Sequence, residues 1–308
     1  MDSLNIETSG IQKRNEDIMK IAILIQCHKN PKQINLLLER LNHPDIDCYL
    51  HIDKKADFTD KIIHRENVFV LPDEQRVSVE WAQISQVTAT LNLLNTAVAG
   101  IRGGGGYDYY WLISGQDWPL RSADKIVKFF EEHNGTNFVQ YWNSKNHGSH
   151  QQNNLDKRNQ IYFPIKLIGR KPWQKIIKRG WVEFTGGYNR TWKIFERKQL
   201  GIEFYFGSSW WALKRETIDW IMQYITTHPE YYKFYENATC PDESFFHTLV
   251  MLSPYADENT DYLTYLHFQK GANSPDILTE DNLQRAKESK YLVMRKVDMN
   301  VDDSFLQI

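Results

Sequence analysis

The feature that most constrains the fold is the alternation of strand and helix signals along the N-terminal part of the chain. "KIAILIQCHK" is an apolar run that turns abruptly polar, as a buried strand does at its end. "NPKQINLLLERLNH" follows, with Ile34, Leu37, Leu38 and Leu41 at helical spacing. "DCYLHID" reads as a second strand ending in His51 and Asp53, and "NVFVLP" as a short third. "WAQISQVTATLNLLNTAVAGI" predicts a long helix with Ile84, Val87, Leu91, Leu94 and Val98 on one face, and "YDYYWLIS" a fourth strand. The predicted fold class is therefore α/β: a mostly parallel sheet with helices on both faces. Such sheets bind ligands beyond the carboxyl ends of their strands. Polar clusters fall at four of those ends: Gln26 to Lys29, His51 to Lys54, Glu74 to Trp81, and Ser114 to Asp117.

Composition excludes several classes. With 37 basic and 39 acidic residues in 308, the net charge of −2 argues against a general polyanion or nucleic-acid binder. No apolar run is long enough to span a membrane. Cys27, Cys48 and Cys240 lie far apart without metal-ligand spacing and are expected as free thiols in a reducing compartment. Residues 1–18 lack an apolar core and are expected to be a disordered extension rather than a secretory signal, leaving 19–308 as a single domain. The four glycines at 103–106 precede a strand rather than a helix, so they suit a connecting loop better than a phosphate cradle. Between about 134 and 200 the pattern loosens into a polar, aromatic and basic stretch, suited either to an acceptor-binding or lid region or to a solvated excursion.

Individual acids and aromatics carry the chemistry. In "LISGQDWPL", Asp117 ends the fourth strand and can hold a metal, position a substrate or organise the turn. The sole D-x-D motif, Asp45-Ile46-Asp47, precedes the second strand and reads as a loop at the wrong end of the sheet for a metal site. In "FYFGSSWWALKRE", strand alternation should send one of Trp210 and Trp211 to the core and the other to a face where a sugar ring can stack. "CPDESFFHTLVML" reads as a turn plus helix, with Asp242 and Glu243 in the first helical turn.

In this order and spacing, "LISGQDWPL", "FYFGSSWWALKRE" and "PDESFFHTLV", with the early strand ending "HID", resemble one family. It is the core 2/I-branching β-1,6-N-acetylglucosaminyltransferase family, glycosyltransferase family 14, which also contains peptide O-xylosyltransferases. The resemblance runs from about Lys20 to about Asp298. It implies a GT-A-type fold, a UDP-sugar donor, inversion at the anomeric carbon and independence from metal, so no cofactor is expected. It further implies Glu243 as catalytic base and Lys296, in "YLVMRKVD", as the cation on the donor diphosphate, with Arg295 as its helper. Asp53 and His28 match the uridine pocket, and Trp81 a wall of the donor pocket. Ser114, Gly115 and Asp117 are expected on the sugar side of that pocket, and Trp210 or Trp211 at the acceptor. One position departs from the pattern. Thr264 stands about where the family carries an arginine, and Lys270 can replace it only as a point charge.

The expectation is an inverting, metal-independent transferase that moves a sugar, GlcNAc first, from a UDP-sugar to a hydroxyl of a glycan or glycoconjugate. Two alternatives stand: a UDP-xylose-dependent xylosyltransferase, and a catalytically weak nucleotide-sugar or glycan-binding protein. A bacterial-type member, cytoplasmic or peripheral to the inner membrane and serving surface polysaccharide assembly, fits the absence of an anchor and the few cysteines.

Overall fold

The computed structural model describes residues 19–100, 106–143, 158–159, 165–169, 171–187, 190, 200–269 and 274–308. The N-terminal extension, most of the glycine run and Lys270 lie outside the described residues. The first half of the fold runs β1 (Ile21–Cys27), α1 (Pro31–Arg40), β2 (Ile46–Ile52), β3 (Val68–Val70), α2 (Ser85–Ala99), β4 (Tyr109–Ser114), β5 (Asp117–Pro119), α3 (Ala123–Glu132), β6 (Asn137–Phe138) and β7 (Trp142–Asn143). The second half runs α4 (Pro172–Phe184), β8 (Tyr205–Phe206), β9 (Ala212–Lys214), α5 (Arg215–Thr227), α6 (Pro229–Tyr235), α7 (Phe245–Leu252), β10 (Asn259–Thr260), β11 (Thr264–Leu266), α8 (Glu280–Glu288) and β12 (Val293–Arg295).

The central sheet has seven strands in the order β10-β6-β9-β4-β1-β2-β3. Strands β4, β1, β2 and β3 run parallel, and β9 is antiparallel to both β4 and β6. A second sheet, β11-β12-β5, sits beside the end of β4 and pairs Arg295 with Asp117.

Both faces of the central sheet are covered, which is why β1 reads as an unbroken apolar run. Ile21, Ile23 and Ile25 point into one core with Ile34, Leu37 and Leu38 of α1 and Phe130 of α3. Ala22 and Leu24 point into the other, with Val87 and Leu94 of α2 and Phe245 and Leu249 of α7. The alternation continues on β4, where Tyr109, Trp111 and Ile113 join the first core and Tyr110 and Leu112 the second.

Four local readings change. Helix α2 begins at Ser85, so Trp81 lies in the loop before it. Asp47 is not in a loop but in β2, buried, and accepts a 2.6 Å hydrogen bond from the Tyr107 hydroxyl. Trp210 and Trp211 stand in an extended segment before β9 rather than within one strand, because Gly207 to Ser209 interrupt the pairing. Asp242 and Glu243 form a separate one-turn 3-10 helix, Pro241–Glu243, ahead of α7. Pro241 fixes that turn and Cys240 enters it in the left-handed region, φ 53°.

Candidate functional site

The strand ends converge as parallel-sheet topology requires. At the end of β1, the Gln26 amide donates to the Gln86 carbonyl at 3.1 Å and to Thr90 Oγ1 at 2.8 Å, tying the sheet to α2. Beyond β2, Asp53 is buried; its Oδ1 accepts the backbone N–H of Lys55 at 2.9 Å, and Oδ2 lies 3.7 Å from the Lys55 ammonium. His28 reaches solvent, yet crowding at the strand end strips water from the ring and lowers its pKa. The charges of Lys29 and Arg295 lower it further, against Asp53 and Asp298. His51 is sealed by the loop that follows, accepting the Val77 N–H at 2.9 Å, and burial lowers its pKa to about 4.

The turn after β4 is built around Asp117. Its Oδ2 accepts the Ser114 N–H at 2.7 Å, and its Oδ1 accepts from Arg295 at 2.7 Å. The side chain has no exposed surface. Burial raises its pKa, and the guanidinium opposes that rise. Asp117 does organise the turn, but it does not line the pocket: both oxygens are engaged beneath the surface. Ser114 is buried and its hydroxyl accepts the Gln116 N–H at 3.0 Å. Gly115 allows close approach of α1 rather than of a sugar, since a Cβ there would meet Ile34 at 3.2 Å and the Cys27 sulfur at 3.4 Å.

Arg295 is likewise turned away from the diphosphate role given to it as helper. One side of its guanidinium pairs with Asp117, and the plane lies 3.9 Å from the centre of the Trp210 ring. Lys296, the next residue, is partly exposed and its Nζ donates to Ser274 Oγ at 2.6 Å. Thr264 is buried in β11 opposite Val293.

Trp211 is 1% exposed and packs on Phe246 in the second core, which removes it from the acceptor site. Trp210, half-buried, joins Gln26, Gln86, Thr90, Leu112, Ser209, Asp242 and Phe246 around a narrow cavity. Asp242 Oδ2 accepts from Ser209 Oγ at 2.8 Å and from the Gln86 amide at 3.3 Å. Its Oδ1 is sealed and has no hydrogen-bond partner among the described residues. Burial, and then the charge of Glu243, push the Asp242 pKa up to about 7. The Ser208-Ser209 segment is fixed from behind by His247, whose Nε2–H donates to the Ser208 carbonyl at 2.8 Å. Only glycine fits at 207, where a Cβ would stand 1.9 Å from the Gln140 carbonyl oxygen.

Glu243 is partly exposed and its Oε2 is held by Arg158, an ion pair that joins residues 85 positions apart. Arg158 gave no local signal beyond the basic character of its stretch. Gln86 and Ser209 were equally hidden, because their partner Asp242 lies far away in sequence. Trp81 is 45% exposed, and its neighbour Ala82 sits in the left-handed region at φ 63°. The Ala82 carbonyl accepts the Cys240 N–H at 3.0 Å, so the Trp81 loop and the turn carrying Glu243 abut through two strained residues.

A string of contacts thus links the named residues: Asp117 to Arg295, Arg295 to Trp210, then Ser209 and Asp242, with Glu243 adjacent. This is a polar site at the carboxyl end of a parallel sheet. The family model "Core-2/I-Branching enzyme" matches residues 21–287, and the chain belongs to that family. The match includes Glu243 and stops before Lys296. The chain is 25% identical over 285 residues to the "Xylosyltransferase oxt" of Drosophila melanogaster, covering 83% of this chain and 29% of that protein. It is 24% identical over 254 residues to "Xylosyltransferase 1" of Homo sapiens, covering 79% and 23%. The chain thus spans about a quarter of the length of these curated relatives. Among solved structures, mouse Xyloside xylosyltransferase 1 in its apo form aligns at TM-score 0.37 and 10% identity, over 90% of this chain and 97% of that one. The apo WbbM bifunctional glycosyltransferase aligns at TM-score 0.40 and 9% identity, over 92% and 46%.

Proposed function

We propose that the protein is an inverting glycosyltransferase that uses a UDP-sugar, with Glu243 as base. The observation that carries this reading is the setting of Glu243, a partly exposed carboxylate steadied on one oxygen by Arg158 and next in the turn to Asp242, whose Oδ2 is held by Ser209 and Gln86. In the reaction, the acceptor hydroxyl gives its proton to Glu243 while its oxygen attacks the anomeric carbon. The bond from that carbon to the diphosphate breaks, and UDP leaves with the electron pair. Lys296 meets the charge developing on the diphosphate, and no metal is required. Arg295 acts behind it, held by Asp117 and Trp210, as a positioning residue. Asp53 and His28 hold the nucleoside, and Trp81 and Trp210 flank the sugars.

The donor is a UDP-pyranose. GlcNAc is the first expectation from the family resemblance, whose two branches share the motifs, whereas the names of the relatives at 22–25% identity favour xylose. UDP release measured with UDP-GlcNAc and with UDP-xylose, with and without EDTA, tests the reading. Release that persists in EDTA and vanishes in Glu243→Gln supports it. Release that needs a divalent metal removes the role given to Lys296. UDP binding without turnover of either donor would make the protein a nucleotide-sugar binder.

A further inference from the structure

Helix α4 (Pro172–Phe184) turns an apolar stripe towards solvent. Trp173, Ile176, Ile177 and Phe184 fall at i, i+3, i+4 and i+11 and are 48%, 70%, 48% and 91% exposed. Gly180 at i+7 continues the same stripe and is exposed. The helix is docked by its other side. The buried Gln174 amide accepts the Lys171 N–H at 3.0 Å and donates to the Lys166 carbonyl at 3.0 Å. Val182 packs with Ala82, Ile168 and Cys240. The outward stripe is therefore a second apolar face, additional to the one that anchors the helix.

Basic residues surround the helix. Arg179 and, nearer the docked Val182 side, Lys175 stand exposed one turn apart, Lys171 and Lys166 are exposed at the helix start, and the single acid in the helix, Glu183, lies beside Ile176 in the last turn. Residues 166–184 carry six lysines and arginines against that one acid, in a chain whose net charge is −2. A stripe of tryptophan, isoleucine and phenylalanine on a helix whose other exposed side chains are mainly lysine and arginine matches the boundary between acyl chains and anionic headgroups. Thirteen residues make a helix about 20 Å long, which can lie along a bilayer but not cross it.

We propose that α4 is an interfacial helix that docks the protein on an anionic lipid surface. Its inner side touches Ala82, next to Trp81, and Cys240, at the base of the Glu243 turn. Docking by this face therefore holds the candidate site next to the membrane. The proposal does not depend on the transfer reaction.

Flotation of the full chain with vesicles of phosphatidylcholine alone, and of phosphatidylcholine with phosphatidylglycerol, at low and high salt, tests it. The protein should float with the anionic vesicles and be released by salt. Lys175→Glu/Arg179→Glu and Ile176→Asp/Phe184→Asp should each cut the bound fraction by about tenfold or more, at an unchanged thermal midpoint. If the aspartate pair unfolds, Ile176→Ser/Ile177→Ser repeats the measurement. Equal flotation with neutral and anionic vesicles, no flotation, or equal binding by wild type and variants would overturn the proposal. So would light scattering showing a dimer that the stripe substitutions abolish while vesicle binding is absent.

Discussion

The acid after β4 and the acid pair in the turn before α7 are finished differently. Asp117 is completely buried, and both of its oxygens accept hydrogen bonds, one from Ser114 and one from Arg295. Asp242 has one oxygen shared by Ser209 and Gln86 and another with no partner among the described residues, beside a partly exposed Glu243. A buried carboxylate with both oxygens engaged is a clamp. One left with a sealed, unmade hydrogen bond carries a cost that a ligand can relieve.

Substitutions separate the two roles. The largest effect is expected from Glu243→Gln, which should lower UDP-sugar turnover by about 10²–10⁴-fold with an unchanged denaturation midpoint. A loss of stability instead of turnover would place Glu243 with Asp117 among the clamps. Next, Arg295→Met leaves the Asp117 charge buried and unpaired and should cost about 3–5 kcal/mol in urea denaturation. The double variant with Asp117→Asn should recover part of that loss, and a single-variant cost near zero would sink the idea of a clamp.

Asp242→Asn should act mainly on pH dependence. The folded protein holds this proton up to about pH 7, while an unfolded aspartate releases it near its ordinary value of 3.8. In that window the native state binds more protons, so this group lowers stability as pH rises and contributes no further slope above it. His51, with a folded pKa of about 4, acts in the opposite sense below the ordinary imidazole value of 6.5. The stability profile of Asp242→Asn should therefore climb more steeply between pH 4 and 7 than that of wild type. Superimposable profiles would show that the proton is not held. The smallest effect is reserved for a neutral member of the clamp. Gln33, fully buried, donates to the Gly115 carbonyl at 2.7 Å and accepts the Met299 N–H at 2.9 Å, and Gln33→Ala should cost about 1–3 kcal/mol.

The sheet was legible because burial on both faces writes itself as runs such as "IAILI", and polar residues mark where those runs end. Glu243 was legible only through its motif. The split between Trp210 and Trp211 was foreseeable from alternation, but not which ring turns inward, since residues 207–209 interrupt the pairing that would fix the register. Arg158, Gln86 and Ser209 acquire their roles from partners distant in the chain. Helix α4 escaped because it is apolar on two sides, Val182 inward and Ile176 outward, which blurs the single stripe that periodicity detects.

The segment bearing Lys296 is fastened to the start of the sheet. Lys29 donates to Asp298 at 2.6 Å and Asn30 to the same carboxylate at 2.7 Å, across separations of 269 and 268 residues. Closing so long a loop comes late in folding. A folding chain that has joined β1 to β4 still lacks the contact that seats Asp298 and, two residues before it, Lys296. The strand end at Lys29 and Asn30 is therefore finished by residues that reach it only after most of the intervening fold has closed.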